Sequence, residues 1–200
     1  METVVELSNF RLQLSDLMLE KTERPFVCDG SPLHTWAFVV GLNPATTLRQ
    51  EFWSFWDDSH GFDRVKFDRE YGEVRGTKTG NRPRIEAISK AFPKGACLET
   101  NIYPSPTKSA PMLRKDQRRT AVFEFLFNTI QPKALYIHGA PTVRFFGTVN
   151  PDLEEFADDT PVRTQLWDRS VTIMLRRRRA LYTAACEEAT QYGRALAASS

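Results

Sequence analysis

The sequence predicts a three-layer α/β/α fold around a mostly parallel, four-stranded central sheet. Short apolar runs alternate with helical stretches along the chain, the order expected of a parallel sheet covered by helices on both faces. Apolar residues make up 41% of the chain and include 14 Phe and 4 Trp, enough to fill a core and too much for global disorder. Two hundred residues suit one domain, expected to span 1–200.

Val5, Leu7, Phe10, Leu14, Leu17 and Met18 recur close to helical spacing, so residues 5–20 are predicted as a helix, ended at Glu23-Arg24-Pro25. Residues 35–40 (Thr-Trp-Ala-Phe-Val-Val) read as a buried strand, stopped by Gly41 and Pro44. Residues 45–82 resist assignment. They are rich in aromatics (Phe52, Trp53, Phe55, Trp56, Phe62, Phe67, Tyr71) yet charged, and they close on a polar stretch, 75–81, expected to be a mobile loop. Residues 83–92 are predicted helical and 97–102 form the second core strand. Residues 111–130 are predicted as one helix, with Val122, Phe125, Leu126 and Ile130 inward and Arg114, Arg118 and Arg119 outward. The third strand is 134–138. Gly139 follows it, and Pro141 opens a short helix in the first turn, where its missing N–H costs little. Residues 171–175 are the fourth strand, and Thr183 is placed to cap a last helix through about Ala198.

Charge and cysteine usage narrow the function classes. The formal net charge is only +2, so its total says little about partners. Its distribution says more: Arg176 to Arg179 run together, and Arg114, Lys115, Arg118 and Arg119 form a second cluster. Such runs are usually a solvated surface, but on one face they would suit a phosphate backbone. Cys28, Cys97 and Cys186 are widely spaced, which argues against a disulfide framework and a zinc site. His34, His60 and His138 show no metal-ligand spacing. No metal or cofactor is expected. The N-terminus lacks a signal-peptide pattern, and no apolar run approaches the length of a membrane span. A soluble, cytoplasmic, monomeric protein with no membrane partner is expected.

Two asparagines carry the functional argument. Asn43 lies in Gly41-Leu42-Asn43-Pro44-Ala45, just past the first strand, and Asn101 ends the second. In an open parallel sheet, ligands bind in the crevice beyond the carboxyl ends of the strands. Asn43 is open to two readings: a turn residue bonding its own backbone before Pro44, or an amide that orients a water or polar ligand. Asn101 presents an acceptor and two donors, so it can match the O4 and N3–H edge of a pyrimidine. Downstream of it, Pro104 and Pro106 enforce a stiff extended segment. That segment is either an ordinary loop or a surface for nucleic acid, with Ser105, Thr107 and Ser109 donating to phosphate and Lys108 supplying charge. Neither a G-x-G-x-x-G nor a phosphate-cradling loop occurs.

Taken in order, three pieces resemble the uracil-DNA glycosylase superfamily. Gly41-Leu42-Asn43-Pro44-Ala45 looks like its first motif in a Gly-x-Asn-Pro form. Residues 97–104 (Cys-Leu-Glu-Thr-Asn-Ile-Tyr-Pro) resemble the strand ending in the pyrimidine-reading Asn, and residues 130–140 resemble an I-x-P-K…G-A strand and helix start. The resemblance covers residues 35–147 and implies a uracil-DNA-glycosylase-like fold acting on DNA. The implied reaction is hydrolysis of the N-glycosidic bond of uracil or another altered pyrimidine, flipped out of the duplex. By that resemblance Asn43 places the attacking water and Asn101 reads the base. Gly41, Leu42 and Pro44 line the pocket, and an aromatic among Phe52, Trp53, Phe55 and Trp56 stacks on the base, with core packing as the alternative for each. The family's cluster-binding cysteines are not matched.

One departure matters. The family places a His directly after the last core strand, where it steadies the leaving base anion. Here the strand runs into Arg176-Arg177-Arg178-Arg179-Ala180-Leu181-Tyr182. Either Arg176 takes over, since preorganised positive charge beside a developing anion is a large catalytic contribution, or the chain binds nucleic acid with weak or no catalysis. Arg177 and Arg178 would meet DNA, and Leu181 or Tyr182 would wedge into the gap left by the flipped base or lie buried under the last helix. A small-molecule α/β enzyme is the reading from outside that family, since fold alone does not fix function.

Overall fold

A computed structural model describes residues 4–76, 81–177 and 185–200, with side chains of the first helix from Glu6 onward. The chain is mixed α/β around a mostly parallel sheet of six strands. In order along the chain these are β1 (Phe26–Val27), β2 (Ala37–Gly41), β5 (Cys97–Asn101), β6 (Ala134–His138), β7 (Val162–Leu166) and β8 (Arg169–Arg176), with β3 (Trp56–Asp57) and β4 (Gly61–Phe62) forming a separate hairpin. The spatial order is β1-β5-β2-β6-β8-β7. The inner four are mutually parallel, and β1 and β7 close the two edges antiparallel. The four predicted strands are those inner four. The edge strands went unread for different reasons. β1 has two residues, too few to show a period. β7 is half exposed and polar, Val-Arg-Thr-Gln-Leu, and its pairing to β8 comes from the hairpin turn at Trp167-Asp168.

Side chains alternate strictly across the sheet, as strand geometry requires. Phe38, Val40, Leu98, Leu135, Ile137, Ile173 and Leu175 point to one face. There they meet Phe10 and Leu14 of α1 (Val4–Leu17), Val122, Phe123 and Leu126 of α4 (Ala121–Ile130), and Val143 and Phe146 of α5 (Ala140–Val149). Val39, Cys97, Tyr136 and Met174 point to the other face. They are covered by Ile88 of α3 (Arg82–Lys90) and by Ala189 and Leu196 of α6 (Cys186–Ala198). Near-continuous apolar strands are what burial on both faces demands.

The unassigned region 45–82 holds the β3–β4 hairpin and α2 (Arg64–Arg75), started by Asp63, whose carboxylate accepts from Lys66 N at 2.9 Å. Of the predicted loop 75–81, residues 77–80 lie outside the described residues. The predicted helix over 111–130 is shorter. Residues 110–112 and 115–117 are isolated 3-10 turns, and the helix starts only at Ala121. Arg114 is extended, with its N–H given to the Gln117 side chain at 3.1 Å, so the chain cannot continue as one helix there. Pro141 sits in the first turn of α5 as expected. Thr183, the predicted cap of α6, lies outside the described residues. No described helix is long and apolar enough to cross a membrane.

α3 and α6 approach each other across Gly193. A Cβ placed there would lie 2.6 Å from Ala91 Cβ and 2.6 Å from Ile88 O. The Ile88 contact is with backbone, so one of the helices must move to admit a side chain. Gly193→Val is expected to lower unfolding stability by about 1–3 kcal/mol, the usual cost of overpacking, read as an earlier urea midpoint. An unchanged midpoint would mean the two helices slide apart freely.

Candidate functional site

Four residues form a row at the carboxyl edge of the inner strands. Gly41 is paired with Asn101, and His138 with Arg176. Val40 is opposite Ile137, so Gly41 and His138, one residue further on each strand, are also neighbours. Gly41 leaves the space between two larger side chains: a Cβ there would lie 2.7 Å from Asn101 Oδ1, 3.1 Å from His138 Nε2 and 3.2 Å from His138 Cε1. Asn101 and His138 therefore converge over the α-carbon of residue 41.

Above this row opens a cavity of about 300 Å³. Asn43, Asn101, Gly41, Leu42, Pro44 and His138 all line it. The two amides predicted to share a crevice do share one. Asn43 is also a turn residue. Its Nδ2 donates to Thr107 Oγ1 at 2.9 Å, Thr107 O at 3.2 Å and Pro44 O at 3.1 Å. These bonds commit the amide nitrogen and leave the Oδ1 acceptor for a ligand or water.

His138 ends its strand without metal-ligand spacing, and its place at the cavity is a feature the sequence expectations lack. The signal that would have found it is the one used for the asparagines: a polar residue ending an apolar strand and followed by Gly. Burial pulls its pKa down from 6.5 to about 4, against the opposing pull of Glu99. The ring is thus neutral at physiological pH, with one N–H to donate and one nitrogen to accept. Among the described residues neither ring nitrogen is taken by a side-chain hydrogen bond.

Beneath Asn101 on the same face lies Glu99, buried at the cavity wall. Burial alone would raise its pKa, but Arg82 and Arg64 hold it at about 2. Arg64 Nη2 lies 3.0 Å from its Oε1, and Arg82 Nη1 bonds its Oε2. Arg82 also holds Glu86 at 2.8 Å. Tyr71 and Arg24 complete this side, with Arg24 and Arg82 guanidiniums 5.9 and 5.4 Å from the Tyr71 ring centre.

Several predicted site residues lie elsewhere. Phe52 and Phe55 are buried in the core, packed on Phe62 and Phe67, because the β3–β4 segment folds inward on its aromatic side. Trp53 and Trp56 also pack on that core, and the aromatics that do line the cavity are Phe26 and Tyr71. Ser105 is fully buried and donates to Glu23 Oε1 at 3.0 Å, so it cannot reach a phosphate. Thr107 is taken by Asn43 and by Ser109 O at 2.9 Å. The extended segment 102–107 lies against residues 41–44 by backbone bonds, Ile102 N to Gly41 O, Tyr103 N to Leu42 O and Thr107 N to Pro44 O. Of that group Lys108 and Ser109 are exposed.

Arg176 does not line the cavity. It turns toward α6, stacks 4.9 Å over Tyr192 and lies 3.0 Å from Asp159 Oδ2. Burial works against its charge, but Tyr192 and Asp159 outweigh that and raise its pKa. Arg177 is held by Asp158 Oδ1 at 2.7 Å, by the carbonyls of Phe156 at 2.7 Å and Glu154 at 3.2 Å, and by that of Leu153. Arg178, Leu181 and Tyr182 lie outside the described residues. The cations at the cavity are instead Arg24, Arg75 and Arg82, none of them in the predicted basic runs. No group of three or more His, Cys, Asp or Glu able to hold a metal ion occurs among the described residues.

No family model matches the chain, and no curated protein matches it either.

Glu99 ties the cavity wall together, and its removal has a signed consequence. Its folded pKa is depressed, so its stabilisation is present in full above the ordinary value of 4.5 and is lost as pH falls through about 2. Glu99→Gln is expected to cost about 3 kcal/mol at pH 7, because it leaves the buried Arg82 and half-buried Arg64 guanidiniums short of a partner. The difference from wild type should shrink progressively below pH 4.5. Chemical denaturation across pH measures it, and a cost independent of pH would contradict the charge account.

Proposed function

We propose that the chain is a monofunctional DNA glycosylase that hydrolyses the N-glycosidic bond of uracil or another altered pyrimidine, on a uracil-DNA-glycosylase-like scaffold. The observation that carries this reading is the convergence of Asn43, Asn101 and neutral His138 on one cavity at the carboxyl ends of parallel strands. In this reading Asn101 pairs with the pyrimidine edge, offering one acceptor and two donors in a plane. Asn43 Oδ1 accepts a hydrogen bond from the water that attacks the sugar carbon, and the proton that this water sheds as the new C–O bond forms ends on the departing base anion, directly or through solvent. As the bond to the base breaks, electrons pass to the base. His138 donates its N–H to the base oxygen that gathers the charge. A neutral donor suits this task, since its N–H is too weak an acid to be transferred and stabilises the developing anion by a hydrogen bond alone. His138, on the third inner strand, thus replaces the histidine that the family places after the last one, and Arg176 has no part in the step.

The test is release of free base from oligonucleotides containing uracil, hydroxymethyluracil, thymine mismatches or modified cytosines. On the substrate that is cleaved, Asn43→Ala and His138→Ala are each expected to slow release by about 100-fold or more. Gly41→Ala should do the same with little change in melting temperature, because its Cβ displaces Asn101 and His138. No release from any of these substrates would refute the reading.

The pH profile gives a separate check. With His138 neutral down to about 4, release should show no ionisation near 6.5, and any inflection from this ring should lie near pH 4. An inflection near 6.5 that vanishes in His138→Ala would show the imidazole working as an acid instead.

One observation favours a second reading, a small-molecule enzyme of the same architecture. Arg177, Ser105 and Thr107, three of the groups expected to meet DNA, are bonded within the protein. The same observation weighs against a catalytically inactive DNA-binding protein. Binding of duplex and single-stranded DNA across salt concentrations separates these, because a protein that neutralises phosphates shows a steep dependence and a small-molecule enzyme shows none.

A further inference from the structure

The cavity carries a cationic wall that base recognition by Asn101 leaves unused. Arg24 comes from the segment before β1, Arg75 from the end of α2 and Arg82 from the start of α3. Arg82 is well partnered on one side by Glu99 and Glu86, yet its Nη2 is buried and makes no hydrogen bond, held 3.6 Å from Asp68 Oδ1. Arg24 is the more informative. No carboxylate lies within 4 Å of it among the described residues, and its only side-chain hydrogen bond there is a long one, Nη1 to Thr46 O at 3.5 Å. It sits with its guanidinium 5.7 Å from the Phe67 ring centre and 5.9 Å from that of Tyr71, the same two rings that Arg82 faces at 5.7 and 5.4 Å.

Two like charges thus share one aromatic platform, and only one of them has its own carboxylates. A half-buried charge without a counter-ion is costly, and a like charge beside it adds to the cost. Accordingly burial, and next the charge of Arg82, lower the pKa of Arg24 to about 10. The guanidinium fork matches a carboxylate or phosphate with two parallel hydrogen bonds. Arg75, exposed at the cavity, adds attraction for an anion on its way in.

We propose that Arg24 and Arg82 form an oxyanion subsite within this cavity, so that the preferred ligand carries a carboxylate or phosphate beside the ring that Asn101 holds. The ring's identity as a pyrimidine rests on the glycosylase reading; the oxyanion rests on the arginines alone. A cavity of about 300 Å³ is at the small end for ligand pockets and fits a single substituted ring or a mononucleotide better than anything larger. The anion has two sources with the same chemistry: a substituent on the base, or the phosphate of a nucleotide.

Isothermal titration of the purified protein with uracil, 5-carboxyuracil, deoxyuridine monophosphate and inorganic phosphate decides it. At least one of the two anionic pyrimidines is expected to bind about tenfold or more tightly than uracil, the effect of one charge-assisted pair. If 5-carboxyuracil alone gains, the anion is a base substituent; if the monophosphate alone gains, it is the nucleotide phosphate. Arg24→Gln should erase the gain while leaving uracil binding within about twofold, because the Asn101 end is untouched. Arg75→Gln, at an exposed position that tolerates change, should reduce the gain in part and covers the case of an Arg24 variant that does not fold. Equal affinity for all three pyrimidines, binding of none, or a gain that survives Arg24→Gln overturns the subsite. Base release from DNA without any anion preference would sink the subsite and spare the glycosylase reading. An anion preference lost in Arg24→Gln without base release would do the reverse.

Discussion

The missing side chain at residue 41 is the constraint on which the site depends. Three parallel strands end side by side with Asn101, Gly41 and His138 in register, only about 4.8 Å apart from strand to strand. Three full side chains pointing the same way at that spacing would fill the crevice with themselves. With glycine in the middle, the two outer groups lean over its α-carbon and the floor of a cavity opens between them. The sheet order β5-β2-β6 makes this possible, because it brings to one edge residues that are about sixty and about forty positions apart from their neighbours in the chain. Backbone bonds from the loop after β5 to the loop after β2 then fix Asn43 over the same floor.

A second constraint is electrostatic. Glu99 is one pleat below Asn101 and faces the same way, so its charge sits directly under the candidate site. Left alone it would raise the pKa of His138 and favour the imidazolium. Burial of the ring outweighs that pull and leaves it uncharged, while Arg64 and Arg82 pair with Glu99 at contact distance. The ion cluster thus does more than hold α2 and α3 to the sheet edge. It brings the Arg82 guanidinium up against the aromatic platform that Arg24 shares.

Much of the scaffold was legible because both faces of the sheet are buried. Continuous apolar runs such as Val39-Val40 and Ala134 to Ile137 have one explanation, and they mark the four inner strands. Asn43 and Asn101 were legible for the same reason: a polar side chain at the end of such a run has no packing role to account for it. His138 carried the identical signal. Arg24, Tyr71 and Arg82 could not have been found this way, since they come from the segment before β1, from α2 and from α3, and meet only because three elements cross near one edge. Nor does local sequence separate the aromatics. Phe52 and Phe55 lie in the same kind of charged, aromatic stretch as Tyr71, and which of them faces a cavity depends on the turn at β3–β4 and the start of α2.

The arginine run after β8 shows how a charge pattern misleads when its partner is distant in sequence. Arg176 and Arg177 look like a strip for phosphates because they are consecutive and basic. Consecutive residues of extended chain point to opposite sides, however, so Arg176 and Arg177 do not form one surface. Arg176 turns to the α6 face and meets Asp159 and Tyr192; Arg177 turns to the loop 153–158 and is held by Asp158 and three carbonyls. The acidic stretch that neutralises both, Asp158-Asp159, is itself positioned by the bridge from Asp158 to Leu175. Each sign of charge in that run is therefore explained by the other, and a guanidinium at the cavity with no carboxylate of its own among the described residues is that of Arg24, which lies in no basic run.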